Sequence, residues 1–256
     1  MSESFNVYRE KVYYSGSTLY YALLGYSEEQ KEFTCAIYAL FHEIQETFYR
    51  SQDPLPIRLR LQWWRDELSN LFEKKPTHPI TRTLLAHWPL VINKKNHFFG
   101  IIHGFEACLE NTEVTDARCL HLISQTIGNR EIILAGLFAP DMDQATLEKF
   151  SLAIGLIHYL KTFYKNFLTR LQMVPVQELD QPKKIKKLST LPETFEKTLR
   201  RLVQLAKPYF EQKPHLLFYK RRYKMAQALM EKYGKKPELM LARTNLTPIQ
   251  KLFLCL

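Results

Sequence analysis

A chain of 256 residues with 46% hydrophobic and 13% aromatic side chains can bury a large core, which excludes a largely disordered protein. Only 8 Gly are present, and no run of alternating β-branched residues lies between turn signals; this excludes a sheet-based fold and points to an all-α, single-domain helical bundle. The net charge of +10 is uneven, at −4 over residues 1–160 and +13 over 161–236, so an anionic partner, or a merely solvated basic face, is expected of one region only.

In chain order, MSESFNVYRE lacks a basic start followed by an apolar core and carries Glu3 and Glu10. No signal or transit peptide is therefore expected, and the reading is cytoplasmic with peripheral membrane contact. AIYALFHEIQETFYR predicts an amphipathic helix with Ile37, Leu40, Phe41, Ile44 and Phe48 on its packing face. PIRLRLQWWRDELSNLF predicts another, started by Pro56, with Trp64 among its core residues, and the prolines of KKPTHPI end it. Shorter helices are predicted over 80–86, 98–110, 116–127 and 131–138.

DMDQATLEKFSLAIGLIHYLKTFYKNFL begins with Asp143 as an N-cap and turns apolar on nearly every side over 154–160, as a central helix would. Residues 171–192, with three prolines and a lysine cluster at 183–187, read as a long basic surface connection. Two further helices are predicted over 193–205 and 216–233, the second closed by Gly234. The apolar tail LTPIQKLFLCL either anchors shallowly in a membrane or packs on the domain, since no segment approaches the ~20 apolar residues of a span. Cys35, Cys108, Cys119 and Cys255 form no C-x-x-C pair and read as free, buried thiols.

Five segments in order carry a resemblance: SGSTLYYALL, AIYALFHEI, LQWWRDELSNLF, PTHPI, and SLAIGLIHYLKTFYKNFLTRLQMVP. Together they resemble the squalene/phytoene synthase family, all-α enzymes that condense prenyl diphosphates around a central cavity. The resemblance implies two Asp-x-x-x-Asp clusters facing each other and holding Mg²⁺ against the substrate diphosphates. A hard dication wants several carboxylate oxygens, and a spacing of four places two on one helix face.

Here Gln45 and Tyr49 stand at the first cluster, with Glu46 as the acid beside them, and Thr162 and Asn166 stand at the second. Mg²⁺ is accordingly not expected, nor is any other cofactor. The sequence is similar to degenerate family members, among them an assembly factor of mitochondrial complex I. The implied function is a non-catalytic assembly or lipid-binding factor at a membrane surface. The alternative is a prenyltransferase-type enzyme whose Lys161, Lys165 and Arg170 replace the metal against a diphosphate.

Ser15 and Ser17 match a family position that meets diphosphate, and equally suit turn and N-cap roles. His42, His158 and Glu46 would suit a transition metal if they converge, and are otherwise hydrogen-bonded structure. Trp63 and Trp64 would line a lipid cavity or join the core. The expected partners are an isoprenoid or other lipid ligand, an anionic membrane surface and a protein partner. Nucleic acid is not expected, for no recognition motif accompanies the charge.

Overall fold

The computed structural model describes residues 3–51, 53–110, 115–167, 193–210, 216–236 and 245–255, with Pro214 and Leu239; at 3, 163–167, 193–196, 198 and 199 only the backbone is described. Helices make up every regular element among these residues. They are α1 (Glu3–Val12), α2 (Thr18–Ala22), α3 (Glu28–Arg50), α4 (Pro54–Phe72), α5 (Pro79–Ala86), α6 (Trp88–Val91), α7 (Lys95–Ala107), α8 (Asp116–Ile123), α9 (Asn129–Phe138), α10 (Gln144–Phe167), α11 (Glu193–Ala206), α12 (Leu217–Lys235) and α13 (Pro248–Cys255).

The longest helices begin where the sequence offers a cap. Ser27 and Gln30 form a reciprocal capping box that starts α3 two turns before its most apolar stretch. Asp53 caps α4, so this helix starts at Pro54, before the predicted Pro56; both prolines fit the first turn, whose N–H groups have no helical partners. Asp143 accepts from Thr146 N at 2.9 Å, as the sequence predicts.

Two expectations are corrected, and one helix that the sequence analysis did not predict is added. The polar start is helical: α1 is held to α3 by Arg9–Glu28 at 3.1 Å and Lys11–Glu43 at 2.5 Å, while Phe5 inserts into the core. The helices predicted over 116–127 and 131–138 form one continuous rod, α8 and α9 being joined by a π-helical turn at Ser124–Gly128. Such a turn admits an extra residue, and here it meets two close neighbours: a Cβ at Gly104 of α7 would lie 2.8 Å from Thr126, and one at Gly155 of α10 would lie 2.2 Å from Ile123. Finally, α12 continues through Gly234 to Lys235, because Gly234 keeps a negative φ and provides no left-handed cap.

The packing face predicted for α3 is buried throughout, Trp64 is in the core, and all four cysteines are buried and free. Glu67 of α4 pins the segment entering α5. Its carboxylate accepts from Thr77 N at 2.8 Å, Thr77 Oγ1 at 2.7 Å, His78 N at 2.8 Å and Thr81 Oγ1 at 2.5 Å. The central helix α10 packs on the π turn, on α8 and α9, and on α11 and α12, which sets its inward face opposite α3.

Candidate functional site

Gln45 of α3 and His158 of α10 meet across the bundle, Nε2 to Nε2, at 3.2 Å. The amide N–H donates, so the imidazole accepts at Nε2 and keeps its proton on Nδ1. Beside them is a cavity of about 260 Å³. Leu19, Phe41, Ile154, Ile157, Met225 and Leu229 form its apolar wall; Ser17, Gln45, His158, Lys161, Arg130 and Arg222 supply the polar one.

The polar wall is built on a buried charge cluster. Glu131 of α9, fully buried, receives Arg130 Nε and Nη2 on Oε1 at 3.0 and 2.7 Å. Arg222 of α12 grips both of its oxygens, at 2.5 and 2.8 Å. Burial would raise the Glu131 pKa, but the two guanidinium groups outweigh it and hold the carboxyl below its ordinary value. The guanidinium carbons also lie over the Tyr38 ring, Arg130 at 4.5 Å and Arg222 at 5.7 Å. Lys161 brings a third cation to the same cavity, and burial lowers its pKa. Three cations thus face one carboxylate.

His158 stays neutral in this setting. Burial first, then the positive charges of Arg130 and Lys161, push its pKa down to about 3. At the mouth, Lys11 is neutralised by Glu43, whose pKa falls to about 2; burial opposes this fall, and His42 and Lys11 outweigh it. Glu131, Arg130 and Arg222 were not singled out by sequence reasoning. The available signal was an acid–base pair, Arg130–Glu131, inside an otherwise apolar stretch.

A family profile for squalene/phytoene synthases matches residues 13–235. The chain belongs to the squalene/phytoene synthase family. The fold is similar to that of squalene synthase HpnC from Alicyclobacillus acidocaldarius, with a TM-score of 0.60 and 15% identity over 93% of this chain and 92% of that chain. No curated protein matches.

Within this family frame the motif positions take clear places. Gln45, Lys161 and Ser17 line the cavity, although Ser17 Oγ also caps α2 by accepting from Tyr20 N at 3.1 Å. Among the described residues, Glu46, Tyr49, Thr162 and Ser15 are not part of the lining of this cavity. Glu46 lies 3.7 Å from His42 instead, Tyr49 packs against the core, Ser15 is exposed, and Thr162 Oγ1 donates back to His158 O at 2.8 Å. Of Lys165 and Asn166 only the backbone is described, and Arg170 and the 171–192 connection lie outside the described residues.

Mg²⁺, which the family implies, does not suit the donors placed here. The facing groups are an amide, a neutral imidazole and an ammonium, where a hard dication needs several carboxylate oxygens. The proposed meeting of His42, His158 and Glu46 does not form either: among the described residues no three His, Cys, Asp or Glu side chains gather as metal ligands. His158 turns its Nε2 to Gln45. Trp63 is exposed and stacks edge-on with Trp64 and His78, away from the cavity lining.

Proposed function

We propose that this family member is non-catalytic and acts at a membrane surface as an assembly or lipid-binding factor, holding in its cavity a lipid with an anionic headgroup. The observation that carries this reading is the excess of cations in a cavity that also has an apolar wall, with Lys161, Arg130 and Arg222 against Glu131 alone. A buried excess of positive charge is costly until an anion joins it, and a phosphate accepts from guanidinium and ammonium groups at once. The apolar wall suits the first part of a hydrocarbon chain.

The volume argues in the same direction. Small-ligand pockets usually span roughly 300–1,000 Å³. A cavity of about 260 Å³ suits a headgroup and a short length of chain better than two prenyl diphosphates side by side, which condensation requires.

A second reading has its own support. If the cations at this wall took over the charge neutralisation that Mg²⁺ supplies in the family, a prenyl diphosphate would bind and ionise without metal. Calorimetry with farnesyl diphosphate in EDTA, paired with product analysis, separates the two. The proposal expects binding that is indifferent to Mg²⁺ and no product. Product formed in EDTA would establish the second reading, and absence of binding, or binding only with Mg²⁺, would refute both.

A further inference from the structure

α13 turns three of its apolar residues to solvent while others pack inward. Ile249 is 68% exposed, Leu252 40% and Phe253 73%, on the side opposite Lys251 and Cys255, which are buried. A helix that only packed on the domain would place its apolar side inward. The inward side carries Cys255 and the partly buried Leu254, and polar groups fasten it as well: Lys251 Nζ donates to Gly16 O at 2.6 Å, and Arg221 Nε of α12 donates to Cys255 O at 3.1 Å.

Two contacts fix how α13 lies. Lys232 near the end of α12 reaches Asn245 O at 3.2 Å, while Arg221 near its start reaches Cys255, so α12 and α13 run antiparallel. The start of α12 adds Leu216 and Leu217, 41% and 49% exposed, and Lys220 and Lys224 lie one and two turns further on. Arg222 and Lys251 are buried, but Lys220 and Lys224 remain toward the surface of α12, whose single acid is Glu231. Exposed apolar side chains flanked by lysines match the chemistry of a bilayer with anionic headgroups, where lipid chains accept the first and phosphates the second. An eight-residue helix is too short to cross, so it would lie in the interface.

We infer that the outer face of α13, with the first turns of α12, is the element that docks this protein on an anionic bilayer. The inference rests on the membrane-surface reading above and assigns that role to a particular surface. It also gives the cavity an orientation. Gly16, held by Lys251, adjoins Ser17 of the cavity lining, and Asn245, just before α13, belongs to that lining. Docking by the outer face would thus bring the cavity to within about one helix diameter, ~10 Å, of the headgroups.

The test is co-sedimentation with phosphatidylcholine vesicles, with and without phosphatidylserine, at low and moderate salt. Wild type is compared with Ile249→Ser/Leu252→Ser/Phe253→Ser and with Lys220→Glu/Lys224→Glu, each checked for an unchanged melting curve. All the replaced apolar groups are exposed, so the fold should persist. Wild type should bind the anionic vesicles, and the serine variant should bind them more than about tenfold more weakly, since each methylene kept out of the bilayer counts. The glutamate variant should lose its preference for anionic over neutral vesicles. Wild type that binds no vesicle would refute the membrane-surface reading together with this inference. Equal binding by wild type and the serine variant would refute the inference alone. Salt-independent binding to neutral vesicles, or a dimer in solution that the serine variant abolishes, would also overturn it.

Discussion

Gln45 Nε2 sits 3.2 Å from His158 Nε2, joining α3 to α10 at the level where two acidic clusters would face each other in the squalene/phytoene synthase family. At Gln45 a neutral amide stands where the family pattern has an acid, and it meets the neutral imidazole of His158 one turn before Thr162.

The His158 pKa of about 3 has a consequence for acid stability. Between the ordinary imidazole value of about 6.5 and 3, the unfolded chain binds a proton that the fold refuses, so this stability is complete above pH ~6.5 and is lost as pH falls, by up to about 1.4 kcal/mol per unit. Burial dominates this refusal, and the charges of Arg130, Lys161 and His42 add to it. Urea midpoints of wild type and His158→Gln, measured from neutral pH to about pH 5, should diverge, with the shallower slope in the variant. Parallel slopes would mean that His158 protonates without cost.

Glu131 balances two buried guanidinium groups, and Glu131→Gln leaves both uncompensated. The expected loss is about 3–5 kcal/mol, read from chemical denaturation. Because Arg222 of α12 and Glu131 of α9 join distant parts of the chain, the denaturation profile should lose cooperativity as well as midpoint. A change under about 1 kcal/mol would show that the cluster carries little of the fold's stability.

Lys161 offers a contrast between stability and binding. It is a cation in a cavity wall that already has positive charge to spare, so Lys161→Met should raise stability by about 1 kcal/mol while weakening binding of farnesyl diphosphate in EDTA tenfold or more. Thermal melts and calorimetry on one preparation give both numbers. A variant that is both less stable and equally good at binding would place Lys161 among ordinary structural residues.

Glu67 tests the link between a family motif and the fold. Its carboxylate accepts four hydrogen bonds from Thr77, His78 and Thr81, and although burial works against it, these donors keep its pKa below the ordinary value. Glu67→Ala should cost about 3 kcal/mol or more by stranding buried donors. Heat denaturation followed by circular dichroism measures it, and a neutral result would mean that water replaces the carboxylate without loss.

The sequence made the apolar framework legible because helical spacing reports burial directly, as at Ile37, Leu40, Phe41, Ile44 and Phe48 of α3. It also made the loss of the metal ligands legible, since Gln45 and Thr162 differ in kind from aspartate. Arg130, Glu131 and Arg222 were not, because charged residues on a helix read as exposed until a partner from a distant segment, here 91 residues away, is seen to bury them. The helical state of α1 was hidden for a related reason: its few apolar residues, among them the buried Phe5, are interspersed with charges, and part of its hold on α3 comes from ion pairs. Motif alignment gave the positions of Glu46, Tyr49 and Thr162 but not their neighbours, which are His42 for Glu46, the core for Tyr49 and His158 O for Thr162.

The central claim is that a synthase fold here binds without catalysing. Its most direct test is incubation of the purified protein with radiolabelled farnesyl and geranylgeranyl diphosphates in the presence of Mg²⁺ and a nicotinamide reductant, with extraction of apolar products. The account predicts none, because the groups at Gln45, His158 and Lys161 do not assemble a site for the ion. Steady formation of a squalene- or phytoene-like hydrocarbon, abolished by EDTA, would contradict it.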